Sequence, residues 1–267
     1  MDGKFLLQRY RIHPDLDGLV WRISGYEEHG HALAGSVEVA SLVVPLIIGF
    51  GDPFVIALGR APGPNDRWGS FAAGLTLDPV FIDSTGHAEA IQIDFTPLGA
   101  RRFFGLPMDE LAGRMVTLDE LGDRELQDLR QRLGESRDWE SRFELAERFV
   151  LQRFRRKGTG NRLAAAAYRH MLESRGQTRI ADLAGIFDCS RKHLAQSFRC
   201  EFGLPPKAIA RIMRFQNALS VASAPGTVDW ADVAFACGYA DQAHLTREFA
   251  ELAGTSPAQW HRAAADR

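Results

Sequence analysis

Four groups of side chains in this sequence have types and spacings that could do chemistry. "EEHGH", residues 27–31, places His29 and His31 so that a β-strand would turn both rings to one face, as a bound metal needs, with Glu38 and His87 to complete a ligand set. Asp83, Ser84 and His87 include the residue types of a nucleophile, its base and an orienting carboxylate. Trp21, Tyr26, Phe50, Phe54, Trp68 and Phe81 could line an apolar pocket, and Trp21, Phe50, Trp68 and Phe81 are taken as the candidates for contacting a small molecule. The fourth group is Arg191, Lys192, Ala195 and Gln196, matched by Gln242, Ala243, His244, Thr246 and Arg247. Such side chains suit base edges: Arg and Lys donate to guanine, Gln pairs with adenine, and Ala or the Thr methyl meets the thymine methyl.

The first two groups lose their force in context. Gly30 and the flanking glutamates make "EEHGH" a solvated loop, so no metal is assigned. Neither a G-x-S-x-G elbow nor a glycine-rich phosphate loop frames Ser84, so no catalytic residue and no cofactor is assigned either. Cys189, Cys200 and Cys237 are odd in number and lack CxxC spacing, which fits free thiols in a reducing cytoplasm. The longest apolar run, "ASLVVPLIIGF", is broken by Pro45 and is too short to span a bilayer, and "MDGKFLLQRYRIHPD" lacks the order of a signal peptide. A cytoplasmic, non-enzymatic protein with no membrane partner is expected. Residues 1–157 carry 19 Lys and Arg against 24 Asp and Glu, whereas residues 158–267 carry 13 against 10. A mildly basic tail on an acidic body hints at nucleic-acid binding.

The elements that must position these residues change character along the chain. "GLVWRISGYEE", "SVEVASLVVPLIIGF", "FVIALG", "WGSFAAGLTL", "PVFIDSTG" and "AIQIDFT" read as about six strands of a sandwich or barrel. From Thr96 the text turns helical, with Thr96 capping, Pro97 in the first turn and Gly105 as the stop. In "DWESRFELAERFVLQRF", Trp139, Phe143, Ala146, Val150 and Phe154 form an aromatic stripe that packs on its own domain or on a second subunit. "RRKGTGNR" is basic and free of apolar residues, and it marks a boundary at 157/158.

Beyond that boundary the sequence repeats. Ile180-Ala181-Asp182-Leu183-Ala184 aligns with Trp230-Ala231-Asp232-Val233-Ala234 at an offset of 50. After one inserted residue, Ser190, His193, Leu194, Phe198, Gly203 and Pro206 align with Asp241, His244, Leu245, Phe249, Gly254 and Pro257. Two matched blocks with a single shift are hard to produce by chance. Each copy predicts a short helix, a turn, and a second helix capped by Ser190 or Asp241, with Leu and Phe four apart on its inner face. Between the copies, "PPKAIARIMRFQNALSVAS" predicts one stiff helix over about 206–223, with Arg211 and Arg214 on the side away from its apolar residues. Such a rod could hold the two outer faces about 34 Å apart, one turn of B-DNA.

"VDWADVAFACGYADQAHLTREFAELAGTSPAQW", with its glycine-aromatic turn and its G-x-[ST]-P ending, resembles the DNA-binding domain of AraC/XylS-type transcription regulators. "IADLAGIFDCSRKHLAQSFRCEFGLPPKAI" carries the same resemblance more weakly. The resemblance implies an α+β chain: a β-rich, cupin-like N-terminal barrel with appended helices over 1–157, then an all-α DNA-binding domain over 158–267. That domain would hold helix-turn-helix units at about 178–203 and 228–254. Lys192, Gln196, Gln242, Thr246 and Arg247 fall on the family's base-facing sites, and Arg191 falls on a phosphate contact. The implied partners are double-stranded DNA, a small-molecule effector, a second copy in a homodimer and, for an activator, RNA polymerase. The implied function is that of a sequence-specific transcriptional regulator with a sensor. The alternative is a cupin-like metal-dependent enzyme joined to a DNA-binding domain.

Overall fold

A computed structural model describes residues 6–156, 158, 160–224 and 228–265. Among the described residues the front half holds ten strands: β1 (Leu6–Tyr10), β2 (Val20–Glu27), β3 (Ser36–Glu38), β4 (Val44–Gly49), β5 (Phe54–Leu58), β6 (Arg67–Trp68), β7 (Ser70–Ala73), β8 (Val80–Asp83), β9 (Glu89–Phe95) and β10 (Met115–Thr117). They form two sheets, a six-stranded one in the order β1-β2-β9-β4-β7-β10 and a four-stranded one in the order β3-β8-β5-β6. All described pairings are antiparallel. The expected barrel is therefore corrected to a pair of separate sheets that do not close.

Alternation along the strands shows why the six-stranded sheet is covered on both sides. Val44, Leu46 and Ile48 of β4, with Ile91, Ile93 and Phe95 of β9, enter the main core beneath the helices. Ile47, Phe71 and Ala90 point the other way and form a thin core with Ile56 of the second sheet. The long run "SVEVASLVVPLIIGF" is split: β3 belongs to one sheet and β4 to the other. Between them, the Ala40 amide leaves the strand and donates to the Leu252 carbonyl far down the chain (2.8 Å).

Helices α1 (Pro97–Phe104), α2 (Leu118–Leu121), α3 (Arg124–Glu135) and α4 (Trp139–Arg156) complete the front half. Thr96 caps α1 by accepting from the Gly99 amide, and Gly105 ends it at φ 71°. The stripe of α4 is used inside the chain: Phe143 stacks on Tyr10, and Trp139 lies against Phe50. Its Phe143, Ala146, Val150 and Phe154 are buried. Among the described residues seven helices follow: α5 (Arg162–Glu173), α6 (Ile180–Ile186), α7 (Arg191–Phe202), α8 (Pro206–Ala222), α9 (Trp230–Ala236), α10 (Gln242–Ala253) and α11 (Pro257–Ala265). Lys157 and Thr159 of the expected boundary lie outside the described residues. No helix among the described residues is long and apolar enough to cross a membrane.

Candidate nucleic-acid interface

The turn joining α6 to α7 and the turn joining α9 to α10 share one hydrogen-bond pattern. The amides of Phe187, Asp188 and Cys189 donate to the carbonyls of Leu183, Gly185 and Ala184 at 3.2, 3.2 and 3.0 Å. Their counterparts Cys237, Gly238 and Tyr239 donate to Val233, Phe235 and Ala234 at 3.0, 3.2 and 2.9 Å. Both turns need a left-handed residue, Asp188 at φ 46° in the first and Gly238 at φ 75° in the second. Ser190 accepts from the His193 amide at 3.1 Å, and Asp241 accepts from the His244 amide at 2.6 Å, which starts α7 and α10 at equivalent points. Leu194 with Phe198, and Leu245 with Phe249, are buried on the inner faces.

That geometry decides which side chains look outward. Arg191, Lys192 and Gln196 of α7 are exposed, and Ala195 is half-buried. On α10, Gln242, Ala243, Thr246 and Arg247 are exposed. The Thr246 hydroxyl donates to the Gln242 carbonyl at 2.8 Å, so its methyl is the part left to meet a partner. His244 is turned partly inward, with its Nε2 3.4 Å from Glu248 Oε1 and its ring edge-on to Tyr239.

Arg211 and Arg214 are not on a free face, contrary to the sequence expectation. Arg211 Nε donates to Glu248 at 2.9 Å, its Nη2 pairs with Glu251, and Arg214 lies 3.5 Å from the other Glu248 oxygen. Burial works against the Arg211 cation, but the two glutamates outweigh it and raise its pKa. Glu248 is only 8% exposed, so it is a buried carboxylate held by two cations that lock α10 to the connecting helix. The sequence carries one sign of this: Glu248 adjoins Phe249 on the inner face, where the first copy has Ser197.

The four aromatic candidates do not converge. Trp21 is 61% exposed, and Phe50 packs under Trp139 and Arg142. Trp68 meets Phe71 edge-on and donates to the Ile56 carbonyl, while Phe81 faces Gly254 of the second unit. What lies between the sheets is a cavity of about 100 Å³, walled by residues such as Ile47, Phe54, Ile56, Val80 and Ile82, with Glu38 and Gln92 as its polar members. None of the four candidates lines it. Helical text predicts the inward side of a helix from period alone, whereas which face of a short strand meets the second sheet depends on pairing.

Among the described residues, no three His, Cys, Asp or Glu side chains converge as a metal site. His29, in a loop beyond β2, sits 3.7 Å from Glu27, while His31 and His87 are exposed. Asp83 accepts from the Gly35 amide, and Ser84 donates to Glu28, so both staple loops. Glu28, absent from the sequence candidates, is buried and also accepts from the Gly86 and Ala88 amides.

Residues 183–263 match the family model described as a helix-turn-helix domain. No curated protein is matched by the chain. Among solved structures, the chain is similar to the DNA-binding domain of AdpA, a global transcriptional factor solved with target DNA, at 24% identity over 40% of this chain and 96% of that one, with a TM-score of 0.37. It is similar to the C-terminal domain of AraT, a response regulator from Geobacillus stearothermophilus, at 18% identity over 40% and 88%, with a TM-score of 0.37. It is also similar to ToxT from Vibrio cholerae at 10% identity over 98% of both chains, with a TM-score of 0.46. The repeated turns and the family match define a helix-turn-helix protein. The chain carries, over residues 183–263, a helix-turn-helix domain of the AraC type.

Proposed function

We propose that this chain is a sequence-specific transcriptional regulator whose α7 and α10 enter successive major grooves of double-stranded DNA. The observation that carries the reading is the pair of congruent units in which the outward side chains of Arg191, Lys192, Gln196, Gln242 and Arg247 make no hydrogen bond or ion pair among the described residues, although such bonds are common elsewhere in the chain. Phosphate contacts supply affinity and orientation, and these outward side chains supply specificity. Arg191 serves a phosphate, while Lys192, Gln196, Gln242, Thr246 and Arg247 read bases.

The functional division falls at 157/158. The part before it senses a small-molecule effector, or joins a second copy, and biases the DNA-binding state through contacts that differ between two states. Because the α4 stripe is buried, a homodimer would use another surface, and Leu6 and Leu7 on the sheet edge at β1, 43% and 44% exposed, are the available apolar residues there. An activator would also contact RNA polymerase, and the working compartment is the cytoplasm.

Recovery and sequencing of genomic fragments bound by the full chain tests the reading. A shared motif with two half-sites one helical turn apart is the expected result, and fragments without a common motif would remove it.

A further inference from the structure

The four-stranded sheet has a cavity on one face and the second helix-turn-helix unit on the other. Along β8, Val80 and Ile82 point into the inter-sheet cavity, while the intervening Phe81 lies against Gly254, the glycine that ends α10. A Cβ built on Gly254 would sit 3.2 Å from Pro79 Cγ and 3.6 Å from Phe81 Cζ, so the fit is close. Along the neighbouring strand, Glu38 lines the cavity, and two residues later the Ala40 amide captures the Leu252 carbonyl. The last carbonyls of a helix have no partner within it, so this bond serves the end of α10. One thin layer thus forms a wall of the cavity and a clamp on the second unit.

The two units are not held alike. The first unit shares a continuous core with the front half, from Ile23 and Phe95 through Phe103 to Phe198 and Ile209. The second has its own small core around Phe215, Val233, Leu245 and Phe249, to which the front half contributes Ala40, with Val39 and Leu77 beside it. A displacement of the sheet would therefore act on the second unit.

The chemistry of the cavity narrows its occupant. Its walls are aliphatic and aromatic, and about 100 Å³ falls well short of the roughly 300–1,000 Å³ of sites for drug-sized ligands. Glu38 is open to solvent yet surrounded by protein, as suits a residue at a cavity mouth; burial, then the nearby Asp94, raise its pKa, with Arg22 opposing. Asp94 already holds Arg22 and the Gln92 amide. No hydrogen bond or ion pair engages the Glu38 carboxylate among the described residues, leaving an acceptor beside an apolar hole.

Resting on the reading of the front half as a sensor, we propose that the inter-sheet cavity binds a small apolar molecule with one hydrogen-bond-donating or cationic head at Glu38, and that its occupancy acts on the second helix-turn-helix unit through the β3–β8 clamp.

The test uses n-butylamine, n-butanol and butyrate as probes on the full chain. Butylamine should raise the Tm saturably, butanol should do so more weakly, and butyrate not at all. Ala73→Leu, which fills the cavity, should abolish the rise; should that variant misfold, Glu38→Gln should erase the preference for amine over alcohol. Amine should change hydrogen exchange at the Ala40 amide about threefold or more and leave the Gly203 amide of the first unit unchanged. In Phe81→Asp the amine should still raise the Tm but no longer alter affinity for the recovered fragments. Absence of any Tm rise, preference for butyrate, or a response at Gly203 in place of Ala40 would overturn the proposal. So would loss of the rise in Arg102→Ala, because Arg102 lines a separate cavity of about 510 Å³. A chain that binds its fragments but not the amine fails only this proposal; a chain that binds the amine but no specific DNA fails only the regulatory reading.

Discussion

The two helix-turn-helix units have the same backbone and opposite means of support. Aligned positions show it: Glu201 in the first unit becomes Leu252 in the second, and Glu248 in the second was Ser197 in the first. The first unit reaches outward to be held, since Glu201, 3% exposed, lies 3.4 Å from Arg101 on α1 of the front half. The second relies on a charge network of its own, Glu248 with the two arginines of the connecting helix, and takes only the lighter Ala40 clamp from the front half. Both end their second helix on a left-handed glycine that seats against the front half, Gly203 near Met108 and Gly254 near Pro79. A duplicated element can thus keep its working surface while its inner positions diverge to suit what each copy packs on.

Each prediction breaks one side of that comparison. The largest effect is expected from Glu248→Leu, which leaves Arg211 and Arg214 without their shared carboxylate and should cost about 3–5 kcal/mol in urea unfolding. Ser197→Ala at the matching site, where the buried hydroxyl makes no hydrogen bond among the described residues, should be close to neutral, within about 0.5 kcal/mol. Gly203→Ala places a Cβ 2.8 Å from the Met108 carbonyl oxygen at φ 85°, so roughly 1–3 kcal/mol should be lost. Gly254→Ala, facing a proline side chain at 3.2 Å, should lose less, and equal losses would show the two seats to be alike. Arg247→Ala should weaken binding to the recovered site by about 1–3 kcal/mol and relax one base position. Uniform weakening across sequences would instead make Arg247 a phosphate contact.

The turns supply a smaller effect of opposite sign. Asp188→Gly should stabilise the first unit by about 0.5–1 kcal/mol, because glycine takes positive φ without the steric cost. Another small effect concerns Cys237, where the first unit has Phe187. Burial raises the Cys237 thiol above its ordinary value of 9.0, and the Asn217 amide and Arg175 only partly offset this. A raised folded value means stability complete below the unfolded pKa and lost as pH climbs towards the folded one. Thermal unfolding should therefore show stability falling as pH rises through about 9, and Cys237→Ala should remove that slope.

Much of the helical half was legible because period and capping are local. Ser190, Asp241, the inner pairs Leu194 with Phe198 and Leu245 with Phe249, and the connecting helix all follow from residues within four or five positions of one another. Arg211 and Arg214 were misplaced for the opposite reason: a helical wheel shows that they leave the apolar side, but not that Glu248, 37 residues beyond Arg211, waits there. In the front half, β1 and β10 carried too little pattern to stand out, and "SVEVASLVVPLIIGF" looked like one strand because no Gly, Asn or Asp interrupts it before Gly49. It is divided between two sheets, and at the break the Ala40 amide bonds the distant Leu252 carbonyl.

By itself, the order of residues determined that a unit of helix, turn and capped helix occurs twice, and which side chains of the second helix face away from its own core. Those are consequences of 3.6-residue periodicity and of side chains bonding to amides three positions away. Tertiary structure alone decided which unit is fused to the front half, where the space between the sheets lies, and which layer separates that space from the second unit. These depend on contacts between residues far apart in the chain, and no local pattern records the partner that completes a strand edge, a buried charge or a helix end.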